Sequence, residues 1–450
     1  MQRTCMRFLQ DWLISTSRKP LVIRGARQVG KTWAVRELAR LNSKTLIEIN
    51  FEKNPHLVSL FATNDPQRIL LNISAISRNI NPEETILFLD EIQAAPELLA
   101  TLRWFAEDMP ELAVIATGSL LEFVLEKHTF SMPVGRIQYM YLEPLSFEEF
   151  LLAKNKSGLL HYIKEYQLAM PIPLAIHEEL ISIVKEYIII GGMPEAVLSW
   201  ITKNSLMDVN QVHNNLIATY KDDFNKYNGR LPAERLHEVI AATPFFLGEK
   251  FIYSKVNPDV QSASIKQALD LLCKARVCHK VFCSAGNGIP LAAELHKRYL
   301  KALFLDVGLC SALLGITFDQ LSSAKNIHLI NIGGISEQLT GQILRTITPL
   351  YIEPALYYWQ RNEKDSNAEV DYLVQHKNFV VPLEVKAGST GSLKSLHLFM
   401  QLKHLSRAVR VNTDMPSTML VKTKDHLGNP IEYELISIPY YLLGELHRIL

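Results

Sequence analysis

The sequence predicts an α/β protein: a doubly wound parallel sheet near the N-terminus, a largely helical middle, and a second α/β unit at the C-terminal end. Three observations carry this expectation. The run LVI, residues 21 to 23, breaks at Gly25 into a glycine-punctuated loop and then into the helix-forming stretch WAVRELARL. Short apolar runs beginning near Pro20, Thr45, Thr85, Leu112 and Ile137 alternate with helical patterns, as parallel strands joined by crossover helices do. Closer to the C-terminus, EVDYLV and FVVPLEVK flank the polar HKN like the arms of a hairpin.

Composition sets the scale. The 450 residues, 48% hydrophobic and 21% charged, can bury two or three ordinary cores. Lys+Arg 47 against Asp+Glu 46 leaves a net charge of +1, so no global field recruits nucleic acid or an anionic membrane. The five cysteines lack the paired spacing of a zinc site, and the N-terminal residues lack a continuous apolar run; both point to a reduced, cytoplasmic compartment. Apolar stretches such as Leu180 to Ile190 are interrupted by charge before the ~20 residues a bilayer crossing needs, so no membrane span is expected.

The first junction carries chemistry. Gly25, Ala26, Arg27, Gln28, Val29, Gly30, Lys31 and Thr32 spell G-x-x-x-x-G-K-[ST] between a strand and a helix. Glycines let successive backbone N–H groups surround a phosphate, and the helix dipole presents its positive end to the same anion. Lys31 is expected to reach the β/γ-phosphates of ATP, and Thr32 to ligate Mg²⁺. A second apolar run, TILFLDEIQ, ends in two acids at the carboxyl end of a parallel strand: Asp90 to hold the metal shell, Glu91 to polarise the attacking water. The third run, LAVIATGSLLEF, ends in Thr117, Gly118 and Ser119. Ser119 fits two readings equally, a sensor of the γ-phosphate or the cap of the helix that follows. Arg136, just before the fifth run, also has two: a finger reaching a neighbouring subunit's γ-phosphate, or an ordinary surface ion pair.

At GARQVGKT, LFLDEIQ, TGSLLEF and VGR…LEPLSFEEF the chain resembles the AAA-type P-loop ATPases of bacteria and archaea. More narrowly, it resembles those that carry a C-terminal domain of long-unknown function related to PD-(D/E)xK nucleases. The resemblance implies a P-loop NTPase core over 1–157, a helical lid over 158–228, a winged-helix segment over 229–310 and a restriction-endonuclease-like α/β domain over 311–450. In the lid it sets Gly192 and Pro194 of GGMPEAV near the adenine, although a helix break followed by a proline start explains the same letters. In the winged-helix segment Lys255, Lys266, Lys274 and Arg276 are candidates for phosphate contacts, with packing alone as the alternative.

The C-terminal hairpin holds a second constellation. If Lys377 and Asn378 form a two-residue loop, Asp371 lies opposite Glu384, and Lys386 shares a face with Glu384. Two carboxylates to hold Mg²⁺ and a lysine to orient water suit phosphodiester hydrolysis, and the same residues also suit a plain cross-strand ion network. The D…ExK spacing resembles the nuclease core, and Glu337 matches its extra upstream acid. The expected partners are ATP, Mg²⁺ and DNA, with homo-oligomerisation left open. The function expected first is ATP hydrolysis coupled to a nuclease-like module; the alternative is a nucleotide-dependent regulatory protein with an inactive scaffold.

Overall fold

The computed structural model describes residues 2–119, 133, 135–225, 231–317, 332–363, 366–386, 392–424 and 428–450. Strands β1 (Leu21–Arg24), β2 (Thr45–Asn50), β3 (Thr85–Asp90), β4 (Ala113–Gly118) and β5 (Gln138–Tyr141) form one sheet in the order β2-β3-β4-β1-β5. Every neighbouring pair is parallel, as the alternation of runs predicts. Both faces are covered. Leu21, Ile23, Ile86 and Phe88 face a core that continues into the rest of the chain, while Val22, Leu87, Leu89 and Val114 face a second core. That double burial is why TILFL reads as an unbroken apolar run. Because the strands are parallel, the loops after β1, β3 and β4 gather at one edge of the sheet.

The middle of the chain is helical, through Leu174–Ile190, Pro194–Lys203 and Leu206–Asn225. No helix among the described residues is long and apolar enough to cross a membrane. Beyond it come the helices Ala233–Ala242, Tyr253–Val256 and Ser262–Lys274, then β6 (Cys278–Ser284) and β7 (Leu295–Phe304). The resemblance implies a winged-helix segment over 229–310. In the structure the β6–β7 hairpin forms one end of an eight-stranded sheet with β8 (Leu356–Glu363), β9 (Ser366–His376), β10 (Phe379–Val385), β11 (Arg407–Asn412), β12 (Ser417–Lys424) and β13 (Pro430–Pro439), ordered β12-β13-β11-β10-β9-β8-β6-β7. β6 pairs in parallel with β8, and its buried Val281 and Cys283 join the core that holds Ile265 and Leu272 of the helix Ser262–Lys274.

The β9–β10 hairpin has the register its loop dictates. Phe379 pairs with His376 and Leu383 with Tyr372, and Lys377 takes a positive φ of 50° in the turn. Pro382 sits inside β10 without harm. Counting from a two-residue loop, it falls in a non-hydrogen-bonded pair with β9, so its missing N–H faces β11, whose ladder with β10 begins only at Leu383.

Two buried polar junctions tie the sheets together. Glu143, after β5, accepts from Arg276 Nη2 at 2.7 Å and from Arg345 Nε and Nη2 at 3.0 and 2.7 Å. Asp306 accepts from the Gly192 amide at 2.7 Å and from Gln342 Nε2 at 2.9 Å. Gln342 and Arg345 lie on one helix, Ile332–Thr346, which also carries Glu337. Arg276 is thereby buried, so it is no candidate for a phosphate contact; Lys255 and Lys266 are exposed and Lys274 is half-buried.

Candidate active site

The loop from Gly25 to Gly30 joins β1 to the helix Lys31–Leu41 at the carboxyl edge of the five-stranded sheet. A Cβ on Gly25 would stand 2.5 Å from the Leu142 carbonyl oxygen, and Gly30 takes φ 98°, so neither position tolerates a side chain. Lys31 Nζ donates to the carbonyls of Gly25 and Ala26 at 3.0 and 2.8 Å. Burial pulls its ammonium down to about 8, with Glu91 and Asp90 pulling the other way.

Asp90 ends β3 beside this loop. Its Oδ2 lies 3.3 Å from both Thr32 Oγ1 and Asn50 Nδ2, and its Oδ1 accepts from Thr117 Oγ1 and, at 3.1 Å, from the Glu91 amide. Burial raises its carboxyl above the usual value against the Thr117 hydrogen bond. Glu91 follows in the left-handed region, φ 53°, and accepts from Gln93 Nε2 at 2.5 Å. The strand ends thus bring Lys31, Thr32, Asp90 and Glu91 together. Ser119, just after β4, is buried with no partner for its hydroxyl among the described residues, and the stretch it is expected to cap lies outside them.

Other expected residues fall elsewhere. Arg136 lies just before β5, at the opposite edge of the sheet from the loop, where its 51% exposed side chain pairs with Glu107 at 2.6 Å; within the chain it is a surface ion pair. Arg27 points to the helical segment, pairing with Asp223 at 2.7 Å, and its carbonyl accepts from Tyr220 OH at 2.8 Å. Pro194 stands beside the loop: its ring Cγ is 3.9 Å from where a Gly30 Cβ would lie.

Sequence reading missed several partners. Asn50 ends β2 level with Asp90 on β3, and a polar residue closing the apolar run TLIEIN was its signal. Tyr220 and Asp223 sit three apart in YKDDF, the spacing of one helix face. Arg3 had no signal. It bonds the Val29 carbonyl at 3.0 Å and the Glu143 carbonyl at 2.8 Å, and pairs with Glu149 at 3.1 Å. Glu149 belongs to LSFEEF, where Ser146 and Glu149 form a reciprocal capping box, so that element anchors the N-terminal segment behind the loop.

The second constellation gathers in the eight-stranded sheet. Lys386 Nζ donates to Glu384 Oε1 at 2.7 Å, and Asp371 Oδ2 accepts from the Val385 amide at 2.7 Å. Glu337 arrives from its helix and meets Lys301 Nζ at 2.8 Å; Lys301 also reaches Glu369 at 2.5 Å. Neither Lys301 nor Glu369 was a sequence candidate. Burial, reinforced by Asp371, raises Glu384 to about 7; burial against the Lys301 charge raises Glu337 to about 8. Among the described residues, Glu384 Oε2 is buried with no donor. Among the described residues no group of three or more His, Cys, Asp or Glu side chains is disposed around a common metal position.

Residues 17–151 match a family described as an AAA domain. The first unit is accordingly AAA-like over that span. Residues 181–320 and 332–439 match two domains of unknown function, DUF8612 and DUF4143. Among solved structures, the chain is similar to the Walker-type ATPase paby2304 of Pyrococcus abyssi, at 16% identity and TM-score 0.42, over 69% of this chain and 94% of that one. It is also similar to the ORC2 protein of Aeropyrum pernix in ADPNP–ADP complexes, at 11% identity and TM-score 0.32, over 71% of this chain and 93% of that one. No curated protein matches the chain.

Proposed function

We propose that the chain hydrolyses ATP with Mg²⁺ at the carboxyl edge of the five-stranded sheet. The observation that carries this is the approach of Thr32 Oγ1 to Asp90 Oδ2, 3.3 Å, beside the loop that Lys31 closes. A hydroxyl and a carboxylate converging there are the donor set that fits a hard divalent ion. Thr32 and Asp90 would hold it, and when bound it neutralises charge on the β- and γ-phosphates. Lys31 presents its ammonium to the same phosphates. Glu91 takes a proton from water as the water oxygen bonds to the γ-phosphorus and the bond to ADP breaks. ATP turnover by the full chain is the test. Glu91→Gln should keep nucleotide binding and lose about 10²–10⁴ in rate, and EDTA should abolish turnover; normal turnover in either case removes the assignment.

A second reading concerns the C-terminal cluster: metal-dependent cleavage of phosphodiesters in DNA. Asp371 and Glu384 would hold the ion, Lys386 would meet charge on the phosphorus, and Glu337 would be the upstream acid. The buried Glu384 Oε2 without a donor supports it. The rival is an inert ion network in a nucleotide-dependent regulatory protein. Incubation of wild type and Asp371→Ala with DNA, Mg²⁺ and ATP separates them: nicking by the wild type alone supports cleavage, and nicking by neither supports the network.

A further inference from the structure

The C-terminal cluster sets four carboxylates, Glu337, Glu369, Asp371 and Glu384, against two ammonium groups, and the two kinds of charge are unevenly mixed. Lys301 projects from β7 with its side chain 3% exposed. It lies 2.8 Å from Glu337 Oε2, 2.5 Å from Glu369 Oε1 and 3.9 Å from Asp371 Oδ1. Lys386, 22% exposed, meets Glu384 Oε1 at 2.7 Å. Asp371 stands between the two groups. On one flank an ammonium fills the space bounded by Glu337, Glu369 and Asp371. On the other, among the described residues, Glu384 Oε2 is buried without a donor, beside Asp371.

A two-metal phosphodiester centre needs two cations about 3.5–4 Å apart, held by shared carboxylates so that one steadies the attacking oxygen and the other the leaving oxygen. Asp371 is the carboxylate placed to be shared, and one of its flanks already holds a protein cation. Lys301 is tethered to the sheet and buried, and leaving would strip three acids of their counter-charge.

We infer that this cluster takes one divalent cation and not two: Lys301 Nζ stands in the second position, while Asp371 and Glu384 Oε2 take the single ion. The inference rests on the metal-dependent reading above. The all-oxygen donor set selects Mg²⁺ or Mn²⁺, with water completing the shell. Lys301 thereby becomes a positioning residue, since it fixes Glu337 and Glu369 and limits the metal count.

The test is a titration of the nucleotide-free full chain with Mn²⁺, free metal being read by electron paramagnetic resonance. Every arm carries Asp90→Asn, so that the P-loop acid contributes nothing. The parent should bind one Mn²⁺ per chain, Glu384→Gln none and Lys301→Met two. Lys301→Met uncovers buried acids, so the double variant Lys301→Met/Glu369→Gln, which loses one charge of each sign, is titrated beside it and should also bind two. Two ions in the parent overturn the inference and leave the metal reading standing. None in the parent overturns the metal reading itself. A folded double variant that still binds one removes Lys301 from the second position.

Discussion

Glu143→Gln is expected to destabilise the chain by about 3–5 kcal/mol, the usual cost of leaving a buried charge without its partner. The geometry places the change in the upper half of that range. Two guanidinium groups converge on one carboxylate through three hydrogen bonds of 2.7 to 3.0 Å, and their side chains are 5% and 1% exposed. A glutamine oxygen can serve one arginine, and its amide N–H groups then confront the other. Arg276 retains Glu353, but that carboxylate is 56% exposed and such a pair is worth about 0–1 kcal/mol. Among the described residues, Arg345 retains the carbonyls of Leu305 at 2.8 Å and Phe304 at 3.4 Å. Urea unfolding followed by fluorescence and circular dichroism measures the loss. Burial alone would raise the Glu143 carboxyl, but the charges of Arg345 and Arg276 hold it well below the usual carboxylate range. The folded value therefore lies under the unfolded one, and the carboxylate's contribution is complete above the unfolded value of about 4.3. The gap between wild type and variant should be flat from about pH 5 to 8 and shrink as pH falls through the carboxylate range. A variant whose midpoint stays within about 0.5 kcal/mol of wild type would refute the reasoning.

Lys31→Ala should remove ATP binding in an equilibrium titration with a fluorescent nucleotide. In the wild type, affinity should weaken as pH rises through about 8, where burial brings the Lys31 ammonium to its titration point, by at most about tenfold per pH unit; a flat profile to pH 10 would show that its charge is not what holds the phosphates. Arg136→Ala should leave turnover unchanged at all protein concentrations and cost no more than about 1 kcal/mol, because its partner Glu107 is shared with Arg103 on the surface. A rate that falls, and falls further on dilution, would instead identify an arginine acting between subunits.

What was legible in the sequence was what contiguous residues settle. GARQVGKT and LFLDEIQ each hold their chemistry within one strand end, and parallel pairing then brings those ends to the same edge whatever lies between. The hairpin register was legible for a similar reason: a two-residue loop at Lys377 and Asn378 fixes every opposing pair by counting. Lys301 and Arg276 were not legible, because each meets acids far away along the chain, across a sheet whose strand order no local pattern announces. The place of the β6–β7 hairpin in the larger sheet was not legible for the same cause, since it depends on pairing with β8, far along the chain.

The helix Ile332–Thr346 has fifteen residues and so is about 22 Å long. Toward one end, Glu337 is locked to Lys301; further along, Gln342 grips the Asp306 that holds the Gly192 amide, two residues before the proline beside the P-loop; in the last turn, Arg345 grips Glu143. A hydrogen-bonded rod neither stretches nor shears readily, so its two ends share one motion. Glu337, Gln342 and Arg345 fall within about 12 Å of that helix, so the second acid cluster and the Gly192 segment beside the P-loop are anchored to one element.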